Sequence, residues 1–550
     1  MPKRKPRSVK RRAKKQPLKS DIGVLDFETD PFKYGHVPQP FAAGIYFAPN
    51  DYALLWDSTS RPNSRTQLAF IKRVIAALKQ LPECILYAHN GGKFDFHYLL
   101  EYADFKDIVI RNGRVVKMKI GKVTLMDSFP LMPFALAEFR KTKINYDLFW
   151  PGKRNKPRNR ALIESYLYDD CKDLHELING FKDIVGPKDT IGGAAFYQMK
   201  QLGIKIQSMN EAHDDLFRPY YFGGRTEAFE KGVYRGAFKY LDINSAYPFA
   251  MKQDHPHGGE YVHSTRLPAI KNLGAQFIRA RIVSKGALPL RSESGHLSFP
   301  HGEFEFNATG WEIRAGLETK TIRIIKVMDV WKPQQFINFS SYVDTFFAKR
   351  AHAKKVKDQI GALAYKYLLN SGYGKFAQNP RDFRDFCIAK YGKNVKGWDW
   401  ECDFGALSIW SRPSYRGTGF YDVCTGASIT GFVRALLWRS ICASKRVIYV
   451  DTDAMLCEAS KVKQGAELGQ WKLEGIVKRV AIAGKKLYGV EWERPQGDAK
   501  EKYKIASKGA RLSFQELLEL CRGKEIVWNN DAPTFSLGQE TFISRTIRAT

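Results

Sequence analysis

Tyr240-Leu241-Asp242-Ile243-Asn244-Ser245-Ala246-Tyr247-Pro248 is the stretch from which the rest of the chain can be read. It puts an acid at the end of an apolar strand and follows it with Ser, Ala and Tyr. Far downstream a second apolar run, Val447 to Val450, leads into Asp451-Thr452-Asp453, two acids whose spacing places them on one face of a strand. Between them, Lys366-Tyr367-Leu368-Leu369-Asn370-Ser371-Gly372-Tyr373-Gly374-Lys375-Phe376 has helical spacing, with Lys366, Asn370 and Tyr373 at i, i+4 and i+7. Acids on adjacent strand ends suit a site where one divalent cation lowers the pKa of a hydroxyl and another holds a triphosphate. Lys366 offers a point charge for that triphosphate, and Tyr373 a ring to stack at a base pair. Read in isolation, the same helix would pass for a Leu/Tyr-rich core helix with one exposed lysine.

Working toward the N-terminus, Ile22-Gly23-Val24-Leu25-Asp26-Phe27 reads as a strand, and Asp26 and Glu28 leave the same face of it. Paired acids of this kind are more often surface or capping residues than ligands. Here they are followed by Asn90-Gly91-Gly92-Lys93-Phe94-Asp95 after the apolar run Ile85-Leu86-Tyr87, then by Tyr166-Leu167-Tyr168-Asp169-Asp170 with Tyr166 and Asp170 on one helical face. If strand, loop and helix pack as one α/β layer, Asp26, Glu28, Asp95 and Asp170 converge. Four hard oxygen ligands without His or Cys are the inventory of a two-metal phosphodiesterase, whose ions stand ~3.5–4 Å apart, and Tyr166 would orient the attacking water. The basic segment Pro151 to Arg160 reads as a loop before the helix.

The wider composition agrees with a polyanionic partner. The chain of 550 residues carries 88 Lys and Arg against 57 Asp and Glu, a formal charge of +31, and its length allows three to five domains. Ten of those basic residues lie in the first twenty positions, yet the remainder still holds 78 against 57. The basic opening can be a nuclear address, a nucleic-acid arm or a solvated tail. With 44% hydrophobic and 13% aromatic residues, packed cores are well supplied. Cys84, Cys171, Cys387, Cys402, Cys424, Cys442, Cys457 and Cys521 form no CxxC pair or zinc spacing, so reduced thiols are expected. No apolar run has the length of a membrane span and no secretory signal follows the N-terminal charges, so a soluble intracellular protein is expected.

In order, DFET, NxxxFD and YxxxD are followed by DxxSxYP, KxxxNSxYG and YxDTD. This series resembles the exonuclease and polymerase motifs of family B DNA polymerases, and in particular the protein-primed enzymes of bacteriophages. HNGGKFDF, FGGRTEAFEKG and NSGYGKF resemble the wording found in polymerases of tailless, membrane-containing phages. The likeness runs from about Gly23 to about Gly509. It implies a multidomain α/β and α+β fold: an RNase H-like 3′-5′ exonuclease followed by a right-hand polymerase with palm, fingers, thumb and two insertions. The division expected is a basic tail over 1–20, exonuclease over 21–188, palm over 189–254 and 426–489, fingers over 341–379 and thumb over 490–550. Insertions occupy 255–340 and 380–425.

The resemblance also assigns residues. Asp26, Glu28, Asp95 and Asp170 would hold metal in the exonuclease, with Lys141 assisting; Asp242, Ile243 and Asp453 would hold it in the polymerase, with Asp451 a further catalytic acid. Two Mg²⁺ per site are implied, or Mn²⁺. Ser245, Ala246, Tyr247, Lys366, Asn370 and Tyr373 would bind the dNTP, Tyr247 packing under the deoxyribose to exclude a 2′-hydroxyl. Thr29, His89, Asn90, Phe94 and Ser128 would cradle the single-stranded primer end. Tyr221, Gly223 and Gly224 match the YxGG turn, where glycine permits a backbone that a Cβ would block. Thr430 and Arg434 match the primer-strand motif Tx₂AR with Val433 for Ala, Lys486 and Tyr488 match KxY, which would hold the primer end, and Lys508 would meet the template near the thumb. Phe129 and Ala246 each stand where the family more often has Leu. Compactness points to protein priming: the first insertion would dock a terminal protein, and the second would close around DNA for processivity and strand displacement. A monomer working in the cytoplasm of a bacterial host, with primer-template and single-stranded DNA as partners and none in a membrane, is what this implies. The rival readings are a conventionally primed or primer-independent enzyme of the same family, and a DNA-binding protein with decayed sites.

Overall fold

Ile22–Thr29 forms the strand that its alternation predicts. Ile22 and Val24 enter one apolar cluster, Leu25 and Phe27 another, so the period of two carries Asp26 and Glu28 to the face of Ile22 and Val24. The computed structural model describes residues 21–59, 61–414, 420–496, 501–536 and 539–549. The basic opening, residues 1–20, lies outside them.

That strand is central in a seven-stranded sheet ordered Asp51–Trp56, Pro40–Ala48, Ile22–Thr29, Cys84–Ala88, Val123–Asp127, Arg114–Ile120, Val109–Arg111. It runs antiparallel to Pro40–Ala48 and parallel to Cys84–Ala88. Helix Ser64–Gln80 covers one face through Phe70, Val74 and Leu78, while Pro157–Val185 covers the other through Ile163, Tyr166 and Leu167. A mixed sheet buried on both faces is the RNase H-like layer expected. The segment expected as a loop at 151–160 is largely helical: Pro151–Arg154 makes one turn, and the long helix starts at Pro157, where proline's missing N–H costs nothing.

The second unit is an antiparallel sheet ordered Tyr503–Ser507, Leu487–Pro495, Trp471–Gly484, Gly232–Ile243, Ala454–Ser460, Ser444–Asp451, Thr226–Ala228. Helices Ala246–Met251 and Val423–Cys442 pack behind it. The helical run from 340 to 376 is two helices, Ser340–Lys355 and Gln359–Phe376. Lys357 breaks it with φ +60°, and Asp358 caps the second helix through Gly361 N–H.

No gap marks the expected boundary near 188. One cluster joins Ile22, Phe181, Met199, Leu241, Leu368 and Val433, so the two units share a core. The segment expected as the first insertion contains a four-stranded antiparallel sheet, ordered Tyr261–Ser264, Ile322–Pro333, Phe277–Lys285, His301–Thr309. The second contains a three-stranded sheet, Arg384–Lys390, Leu407–Pro413, Asp399–Phe404, whose Cys402 and Ile409 enter the core of the first unit. Helix Phe514–Cys521, opened by the Ser513 and Glu516 capping box, packs on the second sheet, and Phe535 beyond it packs against Phe94 and Tyr98. All eight cysteines are free, and among the described residues no helix is long and apolar enough to cross a membrane.

Candidate active sites

Asp26 and Glu28 on the central strand and Asp170 on the long helix bring carboxylate oxygens within 4.8 Å of one another. Asp95 approaches from the short helical turns after Cys84–Ala88, outside the three whose oxygens lie within 4.8 Å, and accepts a hydrogen bond from Phe27 N–H at 3.3 Å. Gathering acids in a buried place is unfavourable for their ionised forms. Asp26 and Glu28 are pushed well above the usual carboxylate range by burial first, then by the neighbouring acids, with Lys141 pulling them back. Burial raises Asp95 to about 7 and also raises Asp170. Lys141 is the local counter-charge: its Nζ lies 3.6 Å from Asp170 and over the Tyr166 ring. Tyr166 shares a hydrogen bond with the Tyr146 hydroxyl at 3.0 Å. Tyr146 was not foreseen, because it opens a four-residue 3₁₀ turn, too short for any periodicity to relate it to Tyr166. Four acids with one lysine between them leave negative charge that a cation of the hard, oxygen-seeking kind fits.

Around this cluster the single-strand candidates divide. His89 bonds Ser128 Oγ at 2.9 Å and the Phe134 carbonyl at 2.8 Å, and burial lowers its pKa. Asn90 adopts φ +62° and accepts from Arg114 at 2.9 Å, while Phe94 meets Phe32 and Phe535 edge-on. Ser128 is fully buried and Thr29 nearly so, so neither hydroxyl lies on the open surface.

In the second unit Asp242, one residue from the end of its strand, pairs in register with Ala454, and Ile243 N–H donates to the Asp453 carbonyl at 2.9 Å. The two aspartates are therefore neighbours across strands. Burial first, and then Asp453, raises Asp242 to about 7; burial raises Asp453 to about 6, while Lys504 draws both down. Asp451 and Asp453 do not share a strand face as their spacing predicted. The strand ends at Asp451, and Thr452 and Asp453 form the tip of a hairpin with Thr452 at φ +62°. The turn sends Asp453 toward Asp242, while Asp451 accepts from Thr226 Oγ1 at 2.8 Å and faces Lys486 Nζ at 3.5 Å. Thr226 escaped notice because no acid or charge marks it.

Tyr247 and Tyr373 stack with ring centroids 4.0 Å apart and nearly parallel planes. Ser245 holds a left-handed backbone, φ +52°, between Asp242 and Tyr247, and Ala246 is buried behind it. Lys366 lies on the same helix as Asn370, which is exposed, but its Nζ bonds Glu138 of the first unit at 3.1 Å. Tyr367 donates to the same carboxylate at 3.1 Å and stacks on Phe134. The expected reason for glycine holds at Gly224, where a Cβ would lie 2.8 Å from Thr452 Cγ2 and 3.1 Å from the Tyr247 hydroxyl. At Gly223 a Cβ meets nothing. Tyr221 is half-buried, its carbonyl accepting from Arg291 at 3.4 Å.

Several residues expected to touch DNA through their side chains are inside the protein. Thr430 is 1% exposed and donates to the Ala427 carbonyl. Arg434, 3% exposed, pairs with Glu312 at 2.7 Å and donates to the Gly223 carbonyl at 2.8 Å. Arg434 thus braces the glycine turn from within, a role that its placement on a buried helix decides. Tyr488 is likewise buried, bonded to the Tyr240 hydroxyl at 2.9 Å and packed on Tyr449. Lys486 and Lys508 sit in adjoining left-handed turns, Lys508 N–H donating to the Lys486 carbonyl at 3.0 Å.

Residues 140–399 match the family described as DNA polymerase type B, organellar and viral. The chain is 34% identical to the DNA-directed DNA polymerase of Enterobacteria phage PRD1, over 98% of its own length and 100% of that protein's. It is 26% identical to a probable DNA polymerase of Agaricus bitorquis, over 94% of this chain and 79% of that one. Among solved structures, Phi29 DNA polymerase in an orthorhombic crystal form is similar with a TM-score of 0.71 at 17% identity, covering 96% of this chain and 100% of that one. The same enzyme complexed with primer-template DNA and incoming nucleotide substrates gives 0.69 at 18% identity, over 96% and 99%.

Proposed function

The chain belongs to the DNA polymerases of type B, organellar and viral, and we propose on that premise that its two acid clusters divide the labour of proofread synthesis. Asp242 and Asp453 serve DNA-directed nucleotide incorporation. Asp26, Glu28, Asp95 and Asp170 serve 3′-5′ removal of a mispaired end. The observation that carries this reading is that acids distant along the chain meet at two separate buried places, each with carboxyls raised by burial and by one another.

Both sets fit Mg²⁺ or Mn²⁺, held by Asp242, Asp453 and the Ile243 backbone in one site and by the four acids in the other. When bound, such cations supply an activated hydroxyl or water and stabilise the leaving oxygen. The remaining work falls to the chain's own residues. Lys366, released from Glu138, neutralises the triphosphate. The Tyr247 ring, freed from Tyr373, packs under the sugar and leaves no room for a 2′-hydroxyl. Ser245 and Asn370 flank the nucleotide, and Lys486 and Lys508 meet the backbone of the duplex. In the other site Tyr166 orients the water, Lys141 steadies Asp170, and His89, Asn90 and Phe94 hold the unpaired end.

We extend the reading to protein priming on a linear phage genome in a bacterial cytoplasm, with the insertion at 255–340 docking a terminal protein and that at 380–425 closing on DNA. Its support is the presence of a separate sheet at each expected place. Incubation with the terminal protein, Mg²⁺ and labelled dNTP tests it. Covalent label on that protein is expected; extension of an oligonucleotide primer with none on the protein would leave a conventionally primed enzyme.

A further inference from the structure

We infer that Arg225 is a positioning residue for polymerisation: its buried guanidinium fastens the short strand that holds Asp453 in a strained turn. The inference rests on the assignment of Asp453 to nucleotide incorporation.

Thr452 is β-branched and sits at φ +62°, with Asp453 N–H donating to the Asp451 carbonyl at 2.7 Å across it. A three-residue turn of this hand is rare and costs on the order of 1–3 kcal/mol, so the surroundings must impose it. Ile243 N–H holds the Asp453 carbonyl at 2.9 Å from one side, and a single segment holds the turn from the other. Thr452 N–H donates to the Arg225 carbonyl at 2.7 Å, Thr226 pairs with Asp451 and holds its carboxylate, and Glu227 and Ala228 continue the ladder along Val450 and Tyr449.

That segment is weak on its own. Thr226–Ala228 is a three-residue strand at the edge of its sheet, and it follows two glycines. What fixes it is the Arg225 side chain, 1% exposed. Nε and Nη2 donate to Glu227 at 2.9 and 2.6 Å, and Nη1 donates to the Gly286 carbonyl at 2.8 Å. The guanidinium also lies 4.1 Å from the Phe299 ring centroid and 4.6 Å from that of Trp438. Gly286 and Phe299 belong to the first insertion, Trp438 to the helix Val423–Cys442. One planar cation therefore clamps the insertion, the helix and the splint behind the catalytic turn, without reaching substrate itself. Lysine keeps the charge but has neither the fork nor the flat face.

The test compares Arg225→Lys, Arg225→Met and Phe299→Leu in the full chain, measuring incorporation across a Mg²⁺ titration and hydrolysis of single-stranded DNA in the same preparations. Loosening Asp453 should lower kcat on the order of 10- to 100-fold in the Arg225 variants, as misplacement of about 1 Å does. The Mg²⁺ giving half-maximal rate should rise, KM for dNTP should change little, and hydrolysis should persist. Phe299→Leu should move the same quantities less. If Arg225→Met loses hydrolysis as well and so fails to fold, Arg225→Lys and Phe299→Leu decide. An unchanged Mg²⁺ dependence in both overturns the inference. Asp453→Ala separates the two levels: incorporation surviving in that variant sinks the site assignment, whereas its loss beside unaltered Arg225 variants sinks only the role of Arg225.

Discussion

The two acid clusters hold the same chemical inventory in different mechanical settings. In the first unit the acids come from a central strand, a loop and a long helix, with helices covering both faces of the sheet, and Lys141 compensates them from 3.6 Å. In the second they come from a strand end and a hairpin tip, beside the stacked rings of Tyr247 and Tyr373 and within reach of the charges of Lys486 and Lys504. Burial raises the carboxyls in both: Asp26 and Glu28 well above the ordinary range and Asp95 to about 7 in the first, Asp242 to about 7 and Asp453 to about 6 in the second. In the first unit the acids are enclosed between sheet and helix, while in the second they lie where two sheet strands terminate.

The comparison breaks most directly by mutation. Asp453→Ala should reduce incorporation on the order of 10³-fold or more and leave single-strand hydrolysis intact; Asp26→Ala with Glu28→Ala should do the reverse. Loss of both activities in either variant, in steady-state assays of each, would mean one site and not two. Because the turn parts the two aspartates, Asp451→Asn should cost less than Asp453→Ala, about tenfold, through release of Lys486 and Thr226. Next in size, Tyr247→Val should narrow the preference for deoxy- over ribonucleotides by about 10- to 200-fold, the range for removing steric exclusion in a pocket. Competition between dCTP and rCTP measures it, and an unmoved ratio would refute the packing of that ring under the sugar.

Bound cations require ionised carboxylates, so at limiting Mg²⁺ a falling pH should lower both hydrolysis and incorporation. A rate of either that does not depend on pH at limiting Mg²⁺ would remove carboxylate-held cations from that cluster. In metal-free protein the sign is fixed by linkage: the folded chain keeps protons on Asp95 and Asp242 that the unfolded chain has released. Their contribution to stability is full below about pH 4 and is lost as pH rises through about 7. Thermal unfolding with chelator should therefore show Asp95→Asn to be stabilising at pH 8 and neutral at pH 4. The smallest effect expected is at Glu138. Its pair with Lys366 is partly exposed, worth about 0.2–1 kcal/mol, so Glu138→Ala should lower KM for dNTP by about 1.5- to 5-fold. An unchanged KM would show that Lys366 is not held back there.

Much of this was legible in linear form because the chemistry is carried by residue types whose spacing is local. Asp26 and Glu28 share a face since strands repeat every two residues, and Tyr166 and Asp170 share one since helices repeat near every four. The same rule failed at Asp451 and Asp453. Period two presumes that a strand continues, and the left-handed Thr452 ends it. The resemblance to Tx₂AR placed Thr430 and Arg434 at the primer strand, but their helix is buried on nearly all sides, so their side chains face protein.

From residue order alone came the two sets of acids, their assignment to one sheet each, and a basic chain made for a polyanion. Periodicity and charge need no partner to be read. Only packing decided that Asp453 turns toward Asp242, that Arg434 and Arg225 work from inside, and that Lys366 reaches across to Glu138. Those outcomes depend on contacts between segments tens to hundreds of residues apart, and the backbone dihedrals and burial that set them are properties of the assembled fold.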